Sequence, residues 1–508
     1  MNGSSTGDLL LGIDLGTTVC KSFVFDSEQQ VLGSAASNVP LITLSGGEVE
    51  QDAEAWWRVT REVVRKAVGK MGEQADRIRG LSVSAQGISF VPVDADCRPL
   101  RRAFSWMDTR ATEQMRSILS NMGEKEVFSI TGKRCSECYV LPKLIWLRER
   151  EPEIYKRTHK ILMPLDFLLA RMTTEFVTDH TMASGTMLYD ITDRDWSPAI
   201  LDLFGIESEK LPALRWAGAP VGRLRPRVAE ELGLPDTTVV AVGGQDQKVA
   251  ALGAGIDLDR TTASLGTAMA ITQKSTRPVI DPNMRVPCFT YLVEGRWVIE
   301  GSADCCNILD WLKQTFFPDI RYMDLDAMAE REEMPRNPVS FCPFFSGAGP
   351  LHRSSLARGS VHGLDFSTSP GQIVRSFFES VAYLIRANID VMEELSRPVR
   401  ELRIFGGGAK SDVWCQIIAD VINIPVNALN TSEAASVGAA ILAGLGSKVF
   451  AGVEDAFPKI AIRTTFLPRK AFVKRYRDGY HEYAKLLDRN LAASGGEPAD
   501  EGGKWAIV

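Results

Sequence analysis

The sequence predicts an α/β protein made of two related domains that face each other across a cleft. Three observations carry this. The chain has 508 residues, and a single hydrophobic core rarely grows past about 250–300 residues. Short, largely apolar runs stop at glycine and pass into helix-like stretches, as at Thr238–Val242 and Leu402–Phe405; these read as buried strands feeding helices. One pattern also occurs at the start of each half: Ile13-Asp14-Leu15-Gly16-Thr17-Thr18 and Ala263-Ser264-Leu265-Gly266-Thr267-Ala268. Similarity at half-chain spacing points to duplicated domains. The boundaries expected are 8–253, 254–490 and a disordered tail at 491–508, with residues 1–7 also disordered.

In chain order, Leu9–Ile13 is an apolar strand, Asp14–Thr18 a glycine turn and Val19–Phe25 the returning strand. Such a turn can present backbone N–H groups and threonine hydroxyls to phosphate oxygens. Asp14 is suited to hold Mg²⁺ through water, because hard cations prefer carboxylate oxygens and keep part of their hydration shell. An ordinary hairpin with an acidic turn residue fits the same letters. Ser82–Phe90 is a second small and polar strand-like stretch, followed by a turn at Asp94-Ala95-Asp96 and then by Ser105-Trp106-Met107-Asp108-Thr109-Arg110.

The middle of the chain, Val239–Ala270, holds the densest pattern. The run Thr238–Val242 ends at Gly243-Gly244, and Asp246 follows at the strand end. Asp246 suits a residue that handles a hydroxyl, and the Gly266-Thr267 bend suits phosphate; a loop carboxylate capping a helix at Gln247–Leu252 is the plainer alternative. Two glycine–threonine turns could grip one polyphosphate from opposite sides. In the second half, Gly406-Gly407-Gly408 leads from Leu402–Phe405 into a helix from about Val413 to Ile422, so that a flat ring or a phosphate can lie on bare backbone. Ile373, Val374, Phe377, Phe378, Val381, Leu384 and Ile385 form a helical core stripe, and Ser432–Leu445 is a small-residue helix able to pack very closely.

Composition excludes several classes. With 45% apolar and 24% charged residues the chain is an ordinary globular protein. A net charge of −6 gives no reason to expect nucleic acid or an anionic membrane as partner. No run of about 18 apolar residues is present, and MNGSSTGD lacks the basic and apolar regions of a signal peptide. Nine scattered cysteines suit a reducing cytoplasm better than a disulfide framework. Cys135-x-x-Cys138 has no second pair at metal spacing, Cys305-Cys306 reads as two small hydrophobes, and five scattered histidines form no metal motif.

Taken together, the DLGTT and SLGTA turns, the GGQDQ stretch, FGGGAKSDVWCQIIAD and the stretch Gly359–Glu379 resemble the FGGY family of carbohydrate kinases, within the hexokinase–actin–heat-shock-70 ATPase superfamily; a looser match lies at Pro142–Leu147. The resemblance runs from about Leu9 to Asp488 and is nearest to xylulokinase-like members. It implies two ribonuclease-H-like (actin/hexokinase-type) ATPase domains, with ATP and sugar in the cleft between them. By motif, Asp246 resembles the general base, Gly16, Thr17 and Thr18 the first phosphate turn, and Gly266 and Thr267 the opposing one. Gly407, Gly408 and Asp412 match the adenosine stretch, with Asp310 near the ribose or adenine.

Sugar contacts are expected from Gln86, Gly87, Trp106, Asp108 and Arg110, which supply planar hydrogen-bonding groups and an aromatic face. A buried tryptophan that only packs, and an arginine that is only a solvated helix residue, are the plain alternatives. Trp-x-Asp-x-Arg at Trp106–Arg110 and Glu50-Gln51-Asp52 before Trp56-Trp57 resemble xylulokinases. The Met-His pair of those enzymes is replaced by Gly87-Ile88, and the Arg-Glu pair of glycerol kinases is also absent. The small Gly87 leaves room for a different or larger substrate. The implied function is ATP-dependent phosphorylation of a ketopentose such as xylulose or ribulose. Glycerol, erythritol or gluconate are alternative acceptors. An actin-like nucleotide-switched binding protein and a degenerate kinase kept as a regulator are alternatives from other classes. Homodimerisation is an expectation of the resemblance alone.

Overall fold

Strand β1 (Leu9–Leu15) is buried along almost its whole length, as a central strand covered on both faces must be. It pairs antiparallel with β2 (Val19–Asp26) and parallel with β4 (Ile78–Ala85). β3 (Val31–Asn38) extends the antiparallel side, and β6 (Val239–Ala241) and β5 (Pro220–Arg223) extend the other, in the order β5-β6-β4-β1-β2-β3. The computed structural model describes residues 7–332, 339–352, 354, 356–456 and 459–493.

The second sheet repeats this plan. Its strands are β7 (Arg260–Leu265), β8 (Ala268–Ser275), β9 (Cys288–Thr290), β10 (Trp297–Asp304), β11 (Glu401–Phe405), β12 (Val426–Leu429) and β13 (Ile462–Phe466), in the order β9-β10-β8-β7-β11-β12-β13. β7 pairs antiparallel with β8 and parallel with β11, as β1 does with β2 and β4. The next strands out also match: β10 stands to β8 as β3 to β2, and β12 to β11 as β6 to β4. Even the antiparallel edge recurs, β13 on β12 and β5 on β6. The repeated six-residue pattern is therefore the visible part of a whole duplicated sheet.

Two helices knit the halves. α1 (Asp246–Gly253) follows β6, and α5 (Ala434–Gly446) follows β12. They pack closely enough that a Cβ on Gly438 would stand 2.0 Å from the Val249 carbonyl oxygen, and one on Gly253 1.9 Å from that of Ala434. Only glycine permits such a backbone approach. α5 belongs to the second half by sequence but lies against β1 and β4 of the first sheet. Around this crossing Leu10, Phe25, Val249, Leu252, Phe289, Val298, Ile441 and Leu442 form a core drawn from both halves. Each sheet has its own larger core besides.

Further helices cover the second sheet. α2 (Cys306–Phe316) follows β10, and α3 (Pro370–Leu395), with its N-terminus capped by Ser369 and Gln372, buries the apolar stripe from Val374 to Met392. α4 (Asp412–Ile422) follows β11, and α6 (Lys470–Ala493) closes the described chain. α6 is helical through Ala493, so the first residues of the stretch expected to be a disordered tail are helix; residues 494–508, and residues 1–6 at the other end, lie outside the described residues. Among the described residues no helix is long and apolar enough to cross a membrane.

Candidate active site

Register assembles the first half of the site. β1, β4 and the short extension Gly244–Gln245 run parallel, so that Asp14 aligns with Ser84 and Ser84 with Gly244. One residue on, Leu15, Ala85 and Gln245 share a row, and beyond it the chain leaves the sheet as Gly16, Gln86 and Asp246. Open α/β sheets bind ligands outside the carboxyl ends of their parallel strands, and all three segments end there together. The turn is closed by the Gly16 N–H donating to the Val19 carbonyl at 3.0 Å, and the Gln86 N–H donates to the Leu15 carbonyl at 2.9 Å.

The second half repeats the arrangement. Ser264 pairs with Phe405, so Gly266 and the Gly406–Gly408 loop emerge side by side. Gly406 has φ +97°, and a Cβ there would stand 2.8 Å from the Leu265 carbonyl oxygen. The N-terminus of α2 abuts the same bend: the Cys306 N–H donates to the Gly266 carbonyl at 3.0 Å, and the Cys305 N–H to that of Thr267 at 3.2 Å. Gly266 is partly exposed, and Thr267 and Gly407 are exposed. Gly408 is buried against Trp414. Cys305 is buried as its apolar reading expects, but Cys306 is partly exposed, with Sγ 3.4 Å from the Leu265 carbonyl.

Asp246 opens α1 between these two turns. Its Oδ1 accepts the Gln247 N–H at 2.8 Å and the Gln245 side-chain amide. Among the described residues nothing donates to its Oδ2. The next side chain, Gln247, meets Ser264 of β7, two residues before Gly266, at 3.4 Å. Asp246 thus leaves its strand in the same row of strand ends as Gly16, and its neighbour Gln247 reaches the strand that leads to Gly266. Burial first, and the nearby Asp14 carboxylate second, push its acid up to about 7. Asp14 is raised by burial to about 6, although Ser84 Oγ donates to its Oδ1 at 2.9 Å. Two partly buried carboxylates, close enough that Asp14 raises the Asp246 acid, make a place where a divalent cation fits. Among the described residues no group of three His, Cys, Asp or Glu side chains forms a metal cage, so a cation there would take its other oxygens from water and phosphate.

The expected sugar-side residues divide. Trp106 is 41% exposed, and its Nε1 donates to Thr17 Oγ1 at 2.9 Å, which ties an aromatic plate to the first turn. Thr18 is exposed beside it. Gln86 is buried: its Nε2 donates to Gln51 Oε1 at 2.8 Å, and Ser89 Oγ donates to its Oε1 at 3.3 Å. Gln51 in turn donates to the Thr17 carbonyl at 2.8 Å and accepts Trp56 Nε1 at 3.3 Å, so this glutamine pair braces the turn from behind. Asp108 is 0% exposed and Arg110 nearly as buried. They pair at 2.7 Å, Arg110 reaches Glu50 at 2.9 Å, and the Val49 N–H donates to Asp108 at 2.7 Å. The guanidinium also packs on Phe104 and Trp146.

On the nucleotide side, Asp310 is exposed on α2 and accepts the Tyr322 hydroxyl at 2.6 Å. Asp412 pairs with Arg463 at 2.6 Å and borders a cavity of about 450 Å³ shared with Arg375, Gln416 and Arg469. Sequence reasoning missed four participants. Ser84 carries no motif of its own, and Gln51 reads only as part of Glu50-Gln51-Asp52. Lys248 pairs with Glu300 across the halves at 2.9 Å, beneath Asp246. Gln245 lay within the quoted GGQDQ stretch, but only its contacts single it out.

Known proteins show the same architecture. The model described as FGGY family of carbohydrate kinases, N-terminal domain, matches residues 9–253, and its C-terminal counterpart matches 261–447. A protein named xylulose kinase from Bacillus subtilis (strain 168) is 32% identical over 480 residues, covering 94% of this chain and 96% of its own. A crystal structure titled as a xyloylose kinase from Brucella ovis superposes with a TM-score of 0.87 at 26% identity, covering 96% of this chain and 99% of that one. One titled gluconate kinase from Lactobacillus acidophilus gives 0.89 at 22% identity with the same coverage, a likeness of fold.

Proposed function

Because the chain belongs to the FGGY family of carbohydrate kinases and is thus a sugar kinase using ATP, we propose that its acceptor is a ketopentose such as xylulose or ribulose, phosphorylated by in-line transfer with Asp246 as general base. The observation that carries the reading is Asp246 at a strand end in one row with Gly16, its neighbour Gln247 on the strand leading to Gly266, with Oδ1 held by two donors and Oδ2 without a donor among the described residues. The choice of sugar draws on the xylulose kinase name borne by a relative 32% identical over 94% of the chain.

In this reading Gly16, Thr17 and Thr18 hold the phosphates from one side and Gly266 and Thr267 from the other. Gly407 and Gly408 give a flat seat to the adenosine, flanked by Asp310 and Asp412. Trp106 offers its ring to the apolar face of the sugar. Gln86, Asp108 and Arg110 support the sugar wall from behind. Asp14 would hold Mg²⁺, which neutralises phosphate charge when bound. The sugar oxygen forms its bond to the γ-phosphorus as the bond to the β-bridging oxygen breaks, and the hydroxyl proton passes to Asp246 Oδ2. In a loose transition state the proton leaves late and needs only a nearby acceptor. Nine unpaired cysteines support a cytoplasmic setting.

ADP release measured against D-xylulose, D-ribulose, glycerol, erythritol and gluconate tests the acceptor. Stimulation by a ketopentose is expected; turnover of gluconate or glycerol alone replaces the reading. The pH dependence tests the base. An acid raised to about 7 is protonated below that pH and cannot accept a proton. kcat/KM at low sugar and low ATP is therefore expected to rise tenfold per unit below about pH 7 and to level above it. A flat profile from pH 5 to 8 removes Asp246 from the role.

A further inference from the structure

We infer that Gln245 is a substrate-binding and positioning residue: one end of its amide fixes Asp246, and the other accepts a hydrogen bond from the sugar hydroxyl adjacent to the one phosphorylated. This rests on the reading of Asp246 as base, and it narrows the substrate class to sugars with a vicinal diol at the reacting end.

The amide is oriented by chemistry. In its ionised form, the form that acts as base, Asp246 only accepts, so the group that meets its Oδ1 is then the Gln245 nitrogen. The Gln245 carbonyl oxygen then points away from Asp246. It is buried, and among the described residues it has no hydrogen-bond partner. Such an acceptor is costly to leave unmet, and beside the Asp246 carboxylate it is suited to take a hydrogen bond from a ligand hydroxyl. The backbone beneath is fixed, because the Gln245 N–H donates to Thr181 Oγ1 at 2.9 Å.

The neighbouring loop is shaped to admit this side chain. A Cβ on Gly87 would stand 2.9 Å from Gln245 Cγ, closer than real side chains come. The next residue, Ile88, has φ +69°. That is the left-handed region, which a β-branched residue adopts only under constraint, and such strain collects at binding loops. The departure at Gly87-Ile88 and the glutamine before Asp246 are thus one feature: the loop has given up bulk where Gln245 lies across it. The two acceptor atoms without a donor among the described residues, Asp246 Oδ2 and Gln245 Oε1, sit on adjacent residues bridged by one hydrogen bond. In the assigned pose neighbouring hydroxyls of one sugar meet both, Oε1 turning out of its buried position to do so.

With the terminal C5 hydroxyl taken as the one phosphorylated, its neighbour is O4, and steady-state kinetics of Gln245→Leu with D-xylulose and its 4-deoxy analogue test the assignment. The wild type is expected to favour D-xylulose over the deoxy compound by about tenfold or more in kcat/KM. The variant should raise KM for D-xylulose about tenfold, lose most of that preference and lower kcat only severalfold, with its melting temperature unchanged. A purely structural role would move stability and leave the preference intact. If the leucine variant does not fold, Gln245→Asn keeps the amide, withdraws it by one methylene and is read the same way. Wild-type preference retained in the variant overturns the assignment. A wild type that turns over no ketopentose overturns the proposed acceptor and the assignment with it.

Discussion

Asp246→Ala is expected to lower kcat by at least about a hundredfold, the usual scale for removing a positioned general base, while ATP binding stays within about twofold. The reasons are local. The Asp246 carboxylate touches neither glycine turn, so the phosphate grip survives its loss. Its Oδ1 is occupied by the Gln245 and Gln247 donors, which leaves Oδ2 as the oxygen lost to the hydroxyl in the variant. Stability should not fall. An acid whose folded value is raised above its unfolded one weakens the fold once pH exceeds the unfolded value, and at neutral pH its removal lifts that penalty. A turnover assay, nucleotide calorimetry and a thermal melt on one preparation therefore separate lost chemistry from lost fold. Near-normal turnover would end the proposed role of Asp246.

Arg110→Ala should act in the opposite way, with a loss of stability of about 3–5 kcal/mol, the scale for removing one partner of a buried ion pair. Asp108 and Glu50 are fully and almost fully buried, and Arg110 bonds both. Its removal leaves Asp108 with two backbone N–H donors and no cation. Glu50 keeps Arg101, which tempers the loss. Arg110→Lys retains charge but not the forked geometry, and is expected to recover only part of the stability. Urea melts of both variants check this. A normal melt accompanied by a large rise in sugar KM would return Arg110 to direct contact with substrate.

These two residues show how the site was legible in different degrees. Asp246 could be read because its signal is local: an apolar run, two glycines and an acid within a few positions. The same holds for Gly16-Thr17, Gly266-Thr267 and Gly406–Gly408, whose bends follow from glycine next to β-branched strands. Arg110 could be named but its partners could not, because Glu50 lies 60 positions away. Gln86 could be named as a sugar contact, but its hydrogen bond to Gln51 could not, because the two lie 35 positions apart.

The amino-acid sequence alone determined the alternation of strands and helices, the paired glycine turns and the acid that follows the middle strand, because each depends on residues within one turn or one strand length. Only the tertiary structure decided which sheet α5 covers, that Asp108 and Arg110 close on Glu50, and that Gln245 lies over Gly87 with one end on Asp246. Those outcomes depend on which segments, far apart along the chain, come within a hydrogen bond or a van der Waals radius of each other. Local propensity carries no information about that choice; burial and close packing make it.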